Sequence, residues 1–421
     1  MSLALYERGS AVTAALIDRW GRAPGWVQVL FLYVITRLWG WVVFLMVGRQ
    51  QLVSPWGAGP VSYIEFANFW DAGWYRQIAQ GGYPSELPHD SAGHVSQNPW
   101  AFYPLYPVLA RGLAEMTGAQ YEVAAVWLSL VAGAVATWAV YLLFRVSLRA
   151  LRHRRPHATA LWGTAVFLCA PVTPVIQVAY AESINLLFLA WSLYLLLRRR
   201  WWSSAAVGWL ACLSRPVGVP LGATAGLWWL VCAVDAARGH EGSLGVRCLA
   251  ALRATGQQLL AALVACAGAL AWPAIAWVVT GVPDAYTATE SAWRGDHFVP
   301  VEPWFLQGEK YFGAFGPAVL CLLIAAFVVL MISRPVVANL HPVLILWCLA
   351  YAGYLLIFLN PQSSLFRLLL PLFPLCLAAA AVSVSRAFRV TLVVAGLVLQ
   401  FGWVGWLWHW KELPGGGDFP P

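Results

Sequence analysis

The chain is expected to be an all-α polytopic membrane protein with about eleven transmembrane helices, and three observations carry that expectation. Hydrophobic residues make up 61% of the 421 positions and charged residues only 10%, far below the roughly 25% of ordinary soluble domains. Apolar runs recur from residue 26 to residue 410, most of them near the roughly 20 residues that cross a bilayer as a helix. Backbone polar groups must be satisfied internally in lipid, and runs of this length do so as helices, not as a closed barrel.

The elements follow in order. Glu7, Arg8, Asp18 and Arg19 interrupt the first 25 residues, so these do not read as a removable signal peptide. The first span is placed at residues 26 to 48. Later ones are placed at 121–144, 158–177, 183–197, 202–214, 217–234, 258–281, 314–333, 336–359, 366–384 and 390–409. The pair 202–214 and 217–234 is the least regular, because Ser214-Arg215-Pro216 interrupts the run and its first member is short. Arg149, Arg152, Arg154 and Arg155 follow the second span, Arg198-Arg199-Arg200 the fourth, and Arg386 and Arg389 the tenth. Arginine excess marks the cytoplasmic side, so the N-terminus is expected there. The net charge of +8 is then a topology signal, without the single basic stripe of a nucleic-acid binder. Eight cysteines lie scattered, nearly all within apolar spans and without CxxC spacing, and read as small buried hydrophobes. No repeat or linker divides the chain, which is expected to be one integral-membrane domain over 1–421 with no separate soluble domain.

This topology leaves two long segments on the non-cytoplasmic side, 49–120 and 282–313, and the chemistry is expected there. Ser62 to Gly82 reads as an amphipathic helix in the interface, with Phe66, Phe69, Trp70 and Trp74 on or near one side. An aromatic run punctuated by Pro99, Pro104 and Pro107 follows, then a short helix through Leu113. Flat aromatic rings suit a carbohydrate and a lipid neck. Asp71 is the lone carboxylate of Trp70-Asp71-Ala72-Gly73-Trp74-Tyr75. From the residues alone it is either the cap of a helix running through Ile78 or a catalytic base. His89, His94 and His297 lie on outer loops without a carboxylate at ligand spacing, so no metal site is expected.

Trp70-Asp71-Ala72-Gly73-Trp74-Tyr75 with Ile78-Ala79 and Gly82-Tyr83-Pro84, then Phe102-Tyr103-Pro104-Leu105-Tyr106-Pro107, resembles the PIG-V family, polytopic glycosyltransferases of the GPI mannosyltransferase II type. Tyr180-Ala181-Glu182-Ser183, Ser214-Arg215-Pro216-Val217-Gly218, and Arg367 with Leu370-Pro371-Leu372-Phe373-Pro374 are similar to its later segments and come in the same order. The resemblance implies a GT-C fold whose first outer loop carries the catalytic aspartate, here Asp71, and a polyprenyl-phosphate-mannose donor. The arginine-rich, lysine-poor chain looks more like the actinobacterial branch, whose acceptors are lipid-linked or envelope glycolipids and glycoproteins. A multi-pass protein of the cell membrane follows, with its site on the non-cytoplasmic face.

A lipid phosphate is already a competent leaving group, so the enzyme's work is positioning and one proton transfer. Asp71 would take the acceptor hydroxyl's proton as that oxygen attacks the anomeric carbon opposite the phosphate, inverting it to an α-mannoside. No cofactor is expected. Arginine suits the phosphate as a planar bidentate donor that stays charged, which makes Arg215, Arg367 and Arg294 the candidate donor-phosphate residues, with snorkelling as the alternative for each. Arg37, in mid-span, would pair with Glu182 or meet a lipid phosphate. Glu182 would orient an arginine or a sugar hydroxyl, or act as a second acid/base. Trp70, Trp74, Tyr75, Asn98, Tyr103 and Tyr106, with Glu182, are the candidate substrate pocket, and interfacial anchoring is the alternative for the tyrosines and Asn98. A lipid or sugar transporter or flippase is the competing class. It predicts broken helices, mid-membrane charge pairs and often two similar halves, and no internal repeat is found.

Overall fold

The computed structural model describes residues 19–294, 299–413 and 420–421, and there the chain is helical, with two isolated β-bridges, Ser54 with Gly57 and His89 with Val95. Helix α1 (Gly25–Gly48) follows Pro24 and fills the first expected span. The next helix, α2 (Tyr63–Ala67), starts on a capping box: Ser62 Oγ accepts the Glu65 N–H at 3.3 Å and Glu65 Oε2 accepts the Ser62 N–H at 2.7 Å. Helices α3 (Ala72–Gly81) and α4 (Leu105–Thr117) complete the segment. The single helix expected over 62–82 is therefore two. Between them Trp70 takes a φ of 60°, a left-handed conformation that bulky residues rarely adopt, and the chain turns there.

A series of helices follows: α5 (Tyr121–Ala150), α6 (Pro156–Leu168), α7 (Glu182–Leu197), α8 (Trp201–Cys212), α9 (Gly218–Arg238) and α10 (Leu244–Thr280). Beyond a connecting segment with α11 (Ala285–Arg294) come α12 (Glu302–Phe312), α13 (Gly316–Ile332), α14 (Arg334–Val337) and α15 (Pro342–Phe358). The chain ends in α16 (Leu365–Leu368), α17 (Pro374–Ala381) and α18 (Arg386–Trp403), the last continued by a π-turn to Trp408. Six stretches among the described residues are long and apolar enough to cross a membrane: α1, α5, α9, α10, the α12–α13 run and α18 with its continuation. Two further apolar helices, α7 and α15, are shorter.

Four expected spans take a different form, one of them 336–359, which begins in α14 and is a continuous helix only from Pro342. The run 158–177 ends as a helix at Leu168 and resumes as a 3₁₀ turn over Thr173–Gln177. Residues 202–214 give only the 12-residue α8. The run 366–384 is split into α16, a 3₁₀ turn at Leu370–Leu372 and α17. Pro171, Pro174, Pro371 and Pro374 explain both breaks, since proline lacks the N–H and its ring clashes with the preceding turn. In the other direction, α10 outruns the expected 258–281: its 37 residues give about 55 Å at 1.5 Å per residue. Arg247 and Arg253 end the apolar run without ending the helix.

A helix that stops inside an apolar bundle leaves carbonyls that need donors. Arg37, buried on α1, supplies them at the first break: Nη1 donates to the Thr173 carbonyl at 2.6 Å and Nη2 to the Leu168 carbonyl at 3.1 Å. Its expected partners, Glu182 or a lipid phosphate, are thus replaced by the C-terminal end of α6, where the helix dipole also favours a cation. From α18, Gln400 Nε2 donates to the carbonyls of Leu168 and Ala170 at 3.0 and 3.1 Å. The second break is treated alike from α15, where Tyr351 Oη donates to the Leu368 carbonyl at 2.7 Å and Trp347 Nε1 to that of Pro371 at 2.8 Å.

Helix α5 packs along α6 and α7 through buried small residues such as Ala132, Ala136 and Ala139, while α9 packs along α10. The latter contact rests on Gly218 and Gly222, one turn apart. A Cβ at Gly218 would lie 2.5 Å from the Ala269 Cα, and one at Gly222 2.9 Å from the Cys266 Cα. Small residues at this spacing let helix backbones approach closely. Gly226, one turn further on, faces open space. Gly222→Ala should therefore destabilise the protein by about 1–3 kcal/mol through overpacking. Gly226→Ala should be neutral or stabilising by up to about 1 kcal/mol through helix propensity. Thermal denaturation of the detergent-solubilised variants checks the contrast, and an equal loss at both positions would count against this packing.

Candidate active site

Four charged side chains from four separate segments meet at the N-terminal end of α7. Asp71 follows the Trp70 turn at the start of α3, Glu182 is the first residue of α7, Arg215 lies in the break between α8 and α9, and Arg367 is on α16. Asp71 occupies the cap position with helical backbone angles, yet its side chain makes no cap hydrogen bond. Its carboxylate instead receives Arg367 Nη1 at 2.6 Å. The capping alternative is thereby replaced by an ion pair.

The pairs continue inward. Arg367 Nε lies 3.3 Å from Glu182 Oε1, close enough for strong attraction but out of line for a hydrogen bond. The same oxygen accepts Arg215 Nη1 at 2.8 Å. The order Asp71, Arg367, Glu182, Arg215 alternates in sign and carries no net charge. Side-chain exposure is 28% at Asp71 and 17% at Arg215 but only 8% at Arg367 and 4% at Glu182, so the run is most buried in its middle and most reachable at Asp71. Glu182 Oε2 is buried without a hydrogen-bond partner. The ring of Tyr180 supports the Arg367 guanidinium at 4.9 Å from its centroid, and the Tyr180 hydroxyl accepts the Asp71 backbone N–H at 3.0 Å. Trp70 Nε1 donates to the Trp408 carbonyl at 2.9 Å, and Trp408 Nε1 donates to the Phe66 carbonyl at 2.8 Å, which fixes the turn that presents Asp71.

Beside the arginines lies a narrow crevice of about 300 Å³. Glu182, Arg215, Arg367, Asn185 and Tyr351 form its polar part, and Leu186, Leu189, Leu368, Leu370 and Pro371 its apolar walls. Asp71 is not among its lining residues.

The remaining candidates fall into two groups. Trp70, Trp74 and Tyr75 surround the Asp71 turn. The Trp74 ring stacks on Phe102 at 5.5 Å and meets Trp293 edge-on at 5.8 Å, which joins α3 to α11. Tyr75 is buried among the rings of Phe102, Tyr106 and Tyr180, and burial pushes its phenol up from the ordinary tyrosine range. Asn98, Tyr103 and Tyr106 spend their polar atoms on protein partners. Asn98 Nδ2 donates to Thr289 Oγ1 at 3.0 Å, Tyr103 Oη donates to Tyr286 Oη at 3.0 Å, and Tyr106 Oη donates to the Ala125 carbonyl at 2.9 Å. The Arg294 side chain and His297 lie outside the described residues. His94 Nδ1 is 3.7 Å from Asp90 Oδ2, a pairing not expected from the spacing. Among the described residues no three His, Cys, Asp or Glu side chains could together hold a metal ion. Tyr180 and Trp408 did not stand out as site residues. The Tyr-Ala-Glu-Ser motif and the tryptophan-rich run over 403–410 were the available signals.

No protein-family model matches the chain, and neither does any curated protein sequence. Among solved structures it is similar to the Archaeoglobus fulgidus oligosaccharyltransferase tethered to an acceptor peptide containing the NVT sequon, with TM-score 0.44 and 13% identity over 90% of this chain and 55% of that one. A second crystal structure of that enzyme, in complex with Zn and sulfate, gives TM-score 0.43 and 14% identity over 89% and 53%. The chain spans about half the length of these structures.

Losing one member of a buried charge cluster leaves the others uncompensated, which typically costs about 3–5 kcal/mol. Glu182→Gln should lower stability by that order in thermal denaturation, whereas Arg76→Gln, which removes the exposed partner of Glu122 at 3.1 Å, should change it by less than about 1 kcal/mol. Equal effects would show that Glu182 does not hold the cluster together.

Proposed function

We propose that the chain is an inverting membrane glycosyltransferase of the GT-C class and PIG-V type. It moves mannose from polyprenyl-phosphate-mannose to a hydroxyl of a lipid-linked or envelope acceptor, giving an α-mannoside on the non-cytoplasmic face. One observation carries the reading. Asp71, Glu182, Arg215 and Arg367 are the charged residues of four motifs far apart in the sequence, and together they form one run of ion pairs beside a leucine-walled crevice.

Two arginines at the head of an apolar crevice fit a lipid phosphate: the guanidinium forks take the anion and the leucines take the prenyl chain. The crevice is narrow between α7 and the α16 segment, and a seated donor would widen it. Asp71, on the other side of Arg367 and more exposed, is the base for the acceptor hydroxyl. Glu182 orients both arginines, the first of the roles its position suggests. The arginine-rich Arg198-Arg199-Arg200 segment follows the other end of α7, about 24 Å along a 16-residue helix, which favours a site on the face opposite the cytoplasm.

One feature favours the transporter reading: helices broken at 169–181 and 369–373, within the apolar body of the chain. The two readings separate on a single replacement. In cells lacking the protein, mass spectrometry should find envelope glycolipids or glycoproteins short by one hexose. Wild type should restore that hexose, and Asp71→Asn should restore it at a rate lower by about 10²–10⁴, the usual worth of a positioned base. Full restoration by Asp71→Asn would exclude Asp71 as the base, and unchanged glycans in the deleted cells would exclude the transferase.

A further inference from the structure

We infer that the donor phosphate and the Asp71 carboxylate compete for Arg367, so that Asp71 is released to act as a base only when the donor is seated. The inference rests on the transferase reading and concerns how its site is switched on. A guanidinium presents two bidentate edges, Nε with Nη2 and Nη1 with Nη2. In the resting protein Asp71 Oδ2 takes Nη1 at 2.6 Å, while Glu182 Oε1 stands 3.3 Å from Nε, crowding that edge without a hydrogen bond. A two-point contact through Nη1 and Nη2 needs Asp71 to give up Nη1, and one through Nε and Nη2 needs Glu182 Oε1 to move out of the way.

Burial and partners decide which one yields. Glu182 is 4% exposed and pinned by Arg215 at 2.8 Å as well as by Arg367. Asp71 is 28% exposed, and its carboxylate has only Arg367 as a partner among the described contacts. Asp71 is therefore the group that moves, over a short path, because its backbone stays tied to the Tyr180 hydroxyl. Glu182 and Arg215 are positioning residues that keep Arg367 in place during the exchange. In the step that follows, the bond from the acceptor oxygen to the anomeric carbon forms as the bond from that carbon to the phosphate oxygen breaks. The phosphate leaves with the electron pair and one further negative charge, and the hydroxyl proton passes to the freed Asp71 carboxylate.

Competition makes a prediction opposite in sign to ordinary loss of a site residue. Removing the competing carboxylate should tighten the phosphate. With the purified full-length protein in lipid nanodiscs, Asp71→Asn should bind farnesyl phosphate about tenfold more tightly than wild type, which corresponds to about 1.4 kcal/mol. Farnesol, which lacks the phosphate, should bind both equally. In an Arg367→Gln background the same Asp71 replacement should no longer tighten binding, since the two effects act through one group. Thermal denaturation verifies folding, and Asp71→Ser serves as a second neutral replacement. Equal or weaker binding of farnesyl phosphate by the folded Asp71 variants overturns the exchange and leaves the transferase reading standing. Tightening of farnesol as well overturns it too, because shape and not charge would then be responsible. Failure of wild type and variants alike to bind farnesyl phosphate removes both the exchange and the donor assignment beneath it.

Discussion

One carboxylate shared by two guanidinium groups inside an apolar helical bundle is the constraint around which this structure is arranged. Glu182 sits at the buried N-terminus of α7 and accepts from Arg215 while it attracts Arg367. None of the three could remain charged there alone, because an isolated ion in such surroundings costs several kcal/mol. Their neutralisation requires that the α8–α9 break and the short α16 both be delivered to one point. The irregular backbone at 213–217 and 365–373 is thus the means by which a bundle of helices brings charges from distant parts of the sequence together. Asp71 is attached to this core through Arg367 and stays closest to solvent, where a reacting hydroxyl could reach it.

The same requirement governs the uncharged breaks. Where α6 stops at Leu168 and where α16 gives way to a 3₁₀ turn, carbonyls are left inside the bundle, and each break is closed by donors from an unbroken neighbour. Arg37 comes from α1, Gln400 from α18, and Tyr351 and Trp347 from α15. The chain accordingly divides into continuous helices that act as struts and interrupted stretches that bring in Arg215 and Arg367. Arg37 illustrates why a mid-span cation need not be functional: its positive charge meets the negative end of a helix dipole, so it stabilises the break from which the Tyr180 and Glu182 segment emerges.

Much of this was legible in the sequence, and what was not has a physical cause. Composition and run length gave the class, because lipid imposes the same demand on every spanning segment. The order of the motifs pointed to Asp71, Glu182, Arg215 and Arg367, but their pairing is a tertiary contact that no local pattern encodes. Hydropathy weighs side chains and does not register a helix end, so 158–177 and 366–384 read as spans although proline splits both. It failed in the opposite sense at α10, where arginines end the apolar run while helical backbone continues to residue 244. The turn at Trp70 was invisible for another reason: a left-handed residue is usually announced by glycine, and here a tryptophan is held in that shape by its indole bond to Trp408, 338 residues away. Asn98, Tyr103 and Tyr106 read as pocket residues or interfacial anchors, and no local pattern shows that their polar atoms fasten the 49–120 segment to Thr289, Tyr286 and α5.

The charge arrangement also bears on why the proposed reaction suits so dry a place. A polyprenyl-phosphate sugar is a phosphodiester with one negative charge, and the departing polyprenyl phosphate carries two. With Asp71 and Glu182 ionised and both arginines charged, the site plus bound donor carries a net charge of minus one. When the acceptor proton reaches Asp71, that carboxylate loses its charge as the leaving group gains one, and the sum is unchanged. The reaction then moves charge from one side of Arg367 to the other without creating any, and the guanidinium faces both positions. Fixed dipoles and ions lower a barrier most when they already surround the place where charge develops and need not reorganise. A buried arginine that flanks both the base and the leaving group meets that condition, and the Glu182–Arg215 pair behind it keeps it from following either anion.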